Sequence, residues 1–205
     1  MSNIYTNSYS FLLSLIMDPQ NFRTLKNSEF ESIKAALVQI SPKIGSYFQE
    51  RRSLLYLSIF GNEDENLIYL ITEEVNKVLK RFQQIVDIIS AGIYLGFIAR
   101  GKFFLSLEGA ELLLKEKLIP EQRFIKVNKE GEKAILYGNS IEKKMILNLS
   151  SEVKKNSLIL IFNHLNELIA LGNVVVELEN FDLLNERDIL IKNLVDKGYY
   201  LRRKQ

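Results

Sequence analysis

One histidine, no cysteine and scattered carboxylates bound the chemistry open to this 205-residue chain. Without cysteine there is no disulfide, no thiolate nucleophile and no thiolate-bound zinc or iron–sulfur centre. His164 lies in "NHLNEL", between two strand-like runs and without a nucleophile elbow, so it reads as a polar turn residue and not as a catalytic base. Carboxylates cluster at Glu29/Glu31, Glu63/Asp64/Glu65 and Glu73/Glu74. General acid–base chemistry needs two carboxyl groups in different environments, whereas helix starts and a hairpin turn place charge for capping and solubility. Gly92 and Gly96 lack the third glycine and the following helix of a phosphate-binding loop, and are expected at tight turns or close approaches. The chain is therefore expected to be no enzyme and to hold no metal and no cofactor.

The remaining chemistry is cationic. In "KAILYGNSIEKKMI", residues 133 to 146, an apolar stretch with the look of a strand breaks at Tyr137-Gly138-Asn139, and Lys143 and Lys144 follow on its rim. Arg187, Lys192 and Lys197 surround a late strand, "DILIKNL", and Arg202 and Arg203 stand near the end. Each alone is a solvated surface cation. On one face of a rigid frame they would bind phosphates, because anchored cations lose less side-chain entropy at each contact. Residues 1 to 98 carry a net charge of minus one and residues 99 to 205 a net of plus three, too mild an imbalance to name a nucleic-acid partner without placement.

The frame is legible in outline. With 47% apolar residues the chain can bury a core. "SFLLSLIM" and "IVDIISAGIYLGFIA" both fall short of the roughly 20 residues of a spanning helix, so no membrane is expected and the cytoplasm is the expected compartment. Residues 1 to 26 form a polar and aromatic extension. Ser28 caps a helix running to the break at Ser41-Pro42, and strands at 53–60 and 67–71 flank the polar turn "GNEDEN". A helix starts at Glu73, "KFFLSL" returns to strand, and "EGAELLLKEK" to helix. Beyond Pro120, "RFIKV", "KAILY", "SLILIF", "LIALGNVVVE", "DILIKNL" and "YYLRR" read as short strands of a small β-barrel. The expected fold class is α+β, with an α+β domain at 27–120 and a mainly β domain at 121–205.

"ILYGNSIEKKMI", "IYLITEEVNKVL", "SAGIYLGFIARGKFFLSLEGAELL" and "IKNLVDKGYYLRR" together resemble the Nip-seven family of large-subunit ribosome-biogenesis factors, in its archaeal type. The resemblance runs over about residues 28 to 205 and rests on Ile135, Leu136, Tyr137, Gly138, Asn139, Ile141, Lys143 and Ile146, with Gly92 and Gly96 upstream. It implies an N-terminal α/β domain of antiparallel strands and helices followed by a C-terminal PUA-type small β-barrel. It also implies non-catalytic RNA binding during processing of precursor ribosomal RNA, with assembly proteins received by the N-terminal domain and no DNA partner. Basic residues near the family's final strands correspond to Arg187, Lys192 and Lys197. Lys143 and Lys144 then join the RNA-facing rim, with Tyr137 expected to pack. Two other readings are an RNA-modification enzyme or its RNA-targeting accessory subunit, and a protein-interaction scaffold.

Overall fold

The computed structural model describes residues 21–59, 65–82, 87–150, 152–177, 181 and 183–202. Its first sheet is an antiparallel meander of β1 (Phe22–Thr24), β2 (Leu55–Ser58), β3 (Glu65–Leu70), β4 (Ile93–Ala99) and β5 (Lys102–Leu105), in chain order. Helices α1 (Asn27–Val38), α2 (Pro42–Glu50), α3 (Glu73–Phe82) and α4 (Leu107–Lys115) accompany it. None of the described helices is long and apolar enough to cross a membrane. The expected hairpin forms, with Leu55 opposite Leu70, although its second strand begins two residues early, at Glu65. Residues 61–64 of the expected turn and 1–20 of the expected extension 1–26 lie outside the described residues, and within the rest of that extension Phe22–Thr24 is a strand paired with β2.

Local chemistry fixes the helix starts. α1 begins one residue ahead of the expected cap Ser28, with Lys26 in the capping position. Glu29 reaches back to accept from the Lys26 backbone N–H at 2.7 Å and holds Arg23 through two hydrogen bonds of 2.7 and 2.8 Å. Ser41-Pro42 does break the chain, but proline is at home in a first helical turn and α2 follows at once. "KFFLSL" stays extended only to Leu105, because the Ser106 hydroxyl accepts from the Gly109 N–H at 2.9 Å and opens α4. Gly96 sits at φ +147°, where an added Cβ would lie 2.0 Å from the Phe104 carbonyl oxygen. Only glycine fits that approach.

The second sheet has six strands in the order β7 (Ile141–Glu142), β11 (Ile189–Asp196), β10 (Leu168–Val174), β9 (Leu158–Phe162), β6 (Phe124–Val127), β8 (Ile146–Asn148). All pairs are antiparallel except β6 with β9. Its two outermost strands, β7 and β8, are joined by a single 3-10 turn, Lys143–Met145. Both edges of the sheet are thereby drawn to one point, and the sheet rolls into a nearly closed barrel.

Two expected strands are helices. "KAILY" belongs to α5 (Lys129–Leu136), and "YYLRR" to α6 (Tyr199–Arg202). Asn128 decides the first case: its side-chain oxygen accepts from the Gly131 N–H at 2.9 Å while its amide donates to the Lys144 carbonyl at 3.0 Å. Glu130 and Glu132 in the first turn favour the same outcome by completing the dipole. The second helix is short and is tied back to the barrel through Arg202.

β10 is buried along nearly its whole length because both of its faces meet apolar neighbours. Leu160, Leu168 and Leu171 join Phe30, Ile33, Leu37, Leu95 and Leu113 in one core. Ile159, Ile161, Ala170 and Val174 join Ile125, Ile135, Ile141 and Ile191 in a second. The chain passes from the first sheet to the second between β5 and β6, around the boundary expected near 119–122, yet the first core runs through both halves.

Leu171→Ala, at a position 1% exposed, is expected to destabilise the protein by about 2–5 kcal/mol. Urea unfolding followed by circular dichroism should show both halves lost in one transition. A second expectation concerns pH. The hydrogen-bonded Arg23 holds the Glu29 carboxyl below the usual carboxylate range. Its contribution is thus present in full above the unfolded value of about 4.3 and is lost as pH falls through the folded value. Glu29→Gln should lower the melting temperature at neutral pH, and the gap to wild type should close in strong acid.

Candidate nucleic-acid interface

The expected cations are carried on or beside β11, but they are not equivalent. Lys143 turns inward: its Nζ donates to the Leu184 carbonyl at 2.9 Å, lies 4.9 Å from the Phe181 ring centroid and 3.9 Å from Glu186, and the side chain is 14% exposed. It straps the segment before β11 to the barrel. Lys144 points outward and pairs with Glu130 at 2.6 Å and Glu142 at 3.5 Å. The hydrogen bond it donates to Glu130 holds its ammonium above the ordinary lysine value. Lys197 pairs with Glu111 of α4 at 2.9 Å. Arg202 grips Asp196 with two bonds of 2.9 and 3.0 Å and donates to the Leu136 carbonyl. Arg187 and Lys192 are exposed and form no ion pair among the described residues. Arg203 lies outside the described residues.

These cations are strung along the strand and do not converge. Lys143 and Arg187 flank the start of β11, Lys192 sits within it and Lys197 follows its end. At about 3.3 Å per residue, a strand of this length separates the extremes by more than 20 Å. Tyr137, expected to pack, is instead 67% exposed. It ends α5 just before Gly138 at φ +85° turns the chain, and Ile135 takes the buried place in that turn. His164 sits where expected, in the turn between β9 and β10, 3.2 Å from Glu132. The same turn is organised by Asn163, whose side-chain oxygen accepts from the backbone of Leu165 and Glu167, both at 3.0 Å.

Lys192 has company that sequence reading did not supply. It pairs across the sheet with Asn173, and Asn173 with Leu158, so all three share one face. The Asn173 amide, with its nitrogen directed at the neighbouring turn, donates to the Asn156 and Ser157 carbonyls at 2.9 and 3.1 Å. That turn carries Lys154 and Lys155, both exposed and unpaired with any described carboxylate. It is also pinned by Asn156 N–H to Val174 at 2.7 Å and by Val174 N–H to Ser157 at 3.1 Å. The lysines border a cavity of about 700 Å³ between the two halves, whose walls include Phe97 and Phe104 of the β4–β5 hairpin, Leu194 of β11 and Arg123. Arg123 spans it, donating to the Gln39 carbonyl at 2.6 Å and the Leu158 carbonyl at 3.3 Å. The Lys154-Lys155 doublet after buried Val153 was the sequence signal for this site.

Residues 123–205 match a family model, the UPF0113 PUA domain. They span the whole six-stranded barrel and α6. A UPF0113 protein from Archaeoglobus fulgidus is 27% identical over 184 residues, covering 88% of this chain and 94% of the relative. A conserved PUA domain protein from Thermoplasma acidophilum superposes with a TM-score of 0.57 at 15% identity, over 89% of this chain and 98% of its own. A hypothetical protein from Pyrococcus horikoshii gives 0.58 at 13%, over 90% and 99%. The fold is thus α+β with a PUA-like, nearly closed barrel in its C-terminal part.

Arg202 holds structure through the Asp196 side chain, which is only 4% exposed, and Lys143 through its bond to the Leu184 carbonyl. Arg202→Ala and Lys143→Ala are each expected to lower the melting temperature. Arg187→Ala, on open surface, should change stability by no more than about 0.5 kcal/mol. Thermal melts followed by circular dichroism check all three.

Proposed function

We propose that this protein is a non-catalytic RNA-binding factor that acts in large ribosomal subunit biogenesis, engaging precursor ribosomal RNA through its PUA-like barrel in the cytoplasm. The observation that carries this reading is the PUA-domain match across 123–205, the segment that also bears the "ILYGNSIEKKMI" motif and the cations Arg187 and Lys192, which form no ion pair among the described residues. In physical terms, phosphate contacts by outward cations position the protein, and selectivity follows from RNA shape and unpaired bases. Of the expected contacts, Arg187, Lys192 and Lys144 are the outward members. Lys197 reaches RNA only by sharing itself with Glu111.

The N-terminal half supports the protein-partner side of the proposal. Val78 and Phe82 on α3, with Ile89 and Ile93 beyond it, are exposed large apolar side chains within one stretch of chain. Val78 and Phe82 are one turn apart and share a face of α3, and contiguous exposed apolar surface marks protein contacts. Ribosome-assembly proteins are the proposed occupants, and the role sought for this chain is placement on RNA and not turnover.

Filter binding to single-stranded RNA across a salt series tests the reading. Log affinity should fall linearly with log salt, and Arg187→Ala with Lys192→Ala should flatten the slope by about 1.4, since each phosphate contact on a single strand contributes about 0.7. No binding at low salt would refute RNA recognition. Crosslinking in cells tests the finer claim: a footprint on precursor ribosomal RNA is expected, and one confined to transfer RNA would point to an RNA-modification role.

A further inference from the structure

We propose that the cavity between the two halves receives one unpaired RNA base, laid against the Phe104 ring, with the flanking phosphates on Lys154, Lys155 and Lys192. This rests on the RNA-binding reading and assigns it a second place beside the outward rim of the barrel. Phe97 and Phe104 face each other across the β4–β5 pair, with ring centroids 5.0 Å apart and planes 17° from parallel. Phe104 is 45% exposed, so one aromatic face is left to water at the open end of an existing stack. A further flat ring continues that stack, and every nucleobase offers one.

Charge selects the occupant. Among the described residues the cavity's lining includes Arg123, Lys154 and Lys155 and no carboxylate. An apolar peptide seated there would strip water from cations without replacing it, whereas a nucleic-acid strand brings one negative charge per residue. The volume of about 700 Å³ falls within the range of small-ligand sites and accommodates a base with its sugar. A duplex keeps its bases stacked on each other, so only an unpaired base can present its face to Phe104.

The frame is stiff where the phosphates would land. The lysine turn is held to β10 by backbone hydrogen bonds and by the Asn173 amide, and Lys192 stands directly across from Asn173. Lys154 and Lys155 are thus carried on braced backbone at the cavity wall, and Lys192 shares the sheet face of Leu158, which lines it. Lys102, two residues from Phe104, lies on the same face of β5.

Fluorescence anisotropy with an unstructured ten-nucleotide RNA and with its duplex form tests the proposal, alongside thermal melts of each variant. Phe104→Leu keeps apolar bulk and removes the flat ring; it should weaken single-strand binding roughly 5- to 150-fold and leave the salt slope unchanged. Lys154→Ala with Lys155→Ala should instead flatten the slope by about 1.4. Phe104→Trp should retain affinity, and since the chain has no other tryptophan its emission should be quenched by the single strand and not by the duplex. If wild type binds RNA and neither Phe104→Leu nor the double lysine change alters affinity, the cavity assignment is overturned while RNA binding stands. Equal quenching by duplex would also overturn it. Failure of wild type to bind any RNA at low salt would instead bring down the functional reading beneath it.

Discussion

Burial of β10 and β9 on both faces is the constraint on which the rest of the molecule depends. A strand exposed on one side needs apolar residues at alternate positions, but one enclosed on both sides needs them almost continuously. "LIALGNVVV" satisfies that demand. Gly172 interrupts it where an added Cβ would meet the Ile191 side chain at 2.5 Å, so the interruption is itself a packing requirement. One face of this strand pair closes the barrel core and the other completes the core begun by α1, α4 and the first sheet. The position of the cavity follows, because it opens where the second face runs out beyond Leu158 and Leu171.

Closure of the barrel imposes a second demand on a very short segment. Lys143–Met145 must join the outermost strands, cover the barrel with Met145 and anchor the chain before β11. Two adjacent lysines in a 3-10 turn point in different directions, which divides their work. Lys143 satisfies a backbone carbonyl under the turn, and Lys144 engages the carboxylates outside it. Identical residue types thus hold structure on one side and present charge on the other.

The broad architecture was legible because hairpins, caps and apolar runs are local signals. Before Pro120 the β2–β3 hairpin, β5 and helices α1, α3 and α4 were read, while β1 and α2 were not; after it four of the six strand expectations correspond to β6, β9, β10 and β11. "KAILY" misled because five residues of apolar character carry no period of their own; the deciding cap, Asn128, lies five residues upstream with Glu130 and Glu132 behind it. "YYLRR" misled because its helix depends on Arg202 reaching Asp196, a contact between residues that no short pattern links. The candidate site was less legible than the fold. Charge type could be read from the sequence, but whether a lysine is free depends on carboxylates brought near by tertiary structure, as Glu111 is to Lys197. The exposure of Phe104 likewise depends on β5 lying at the sheet edge.

Arg123 carries a consequence for how the two halves behave. Its guanidinium, partly stripped of water, bonds a carbonyl at the end of α1 and another at the start of β9. A hinge motion that widened the cavity would have to break both bonds and separate the shared core at the same time. In mechanical terms the arginine is a rivet between two plates, and the gap between them is set before any ligand arrives. Recognition there becomes a matter of fit to a preformed gauge: a strand either offers a base thin enough to enter or is turned away, with no closing movement to improve a poor match.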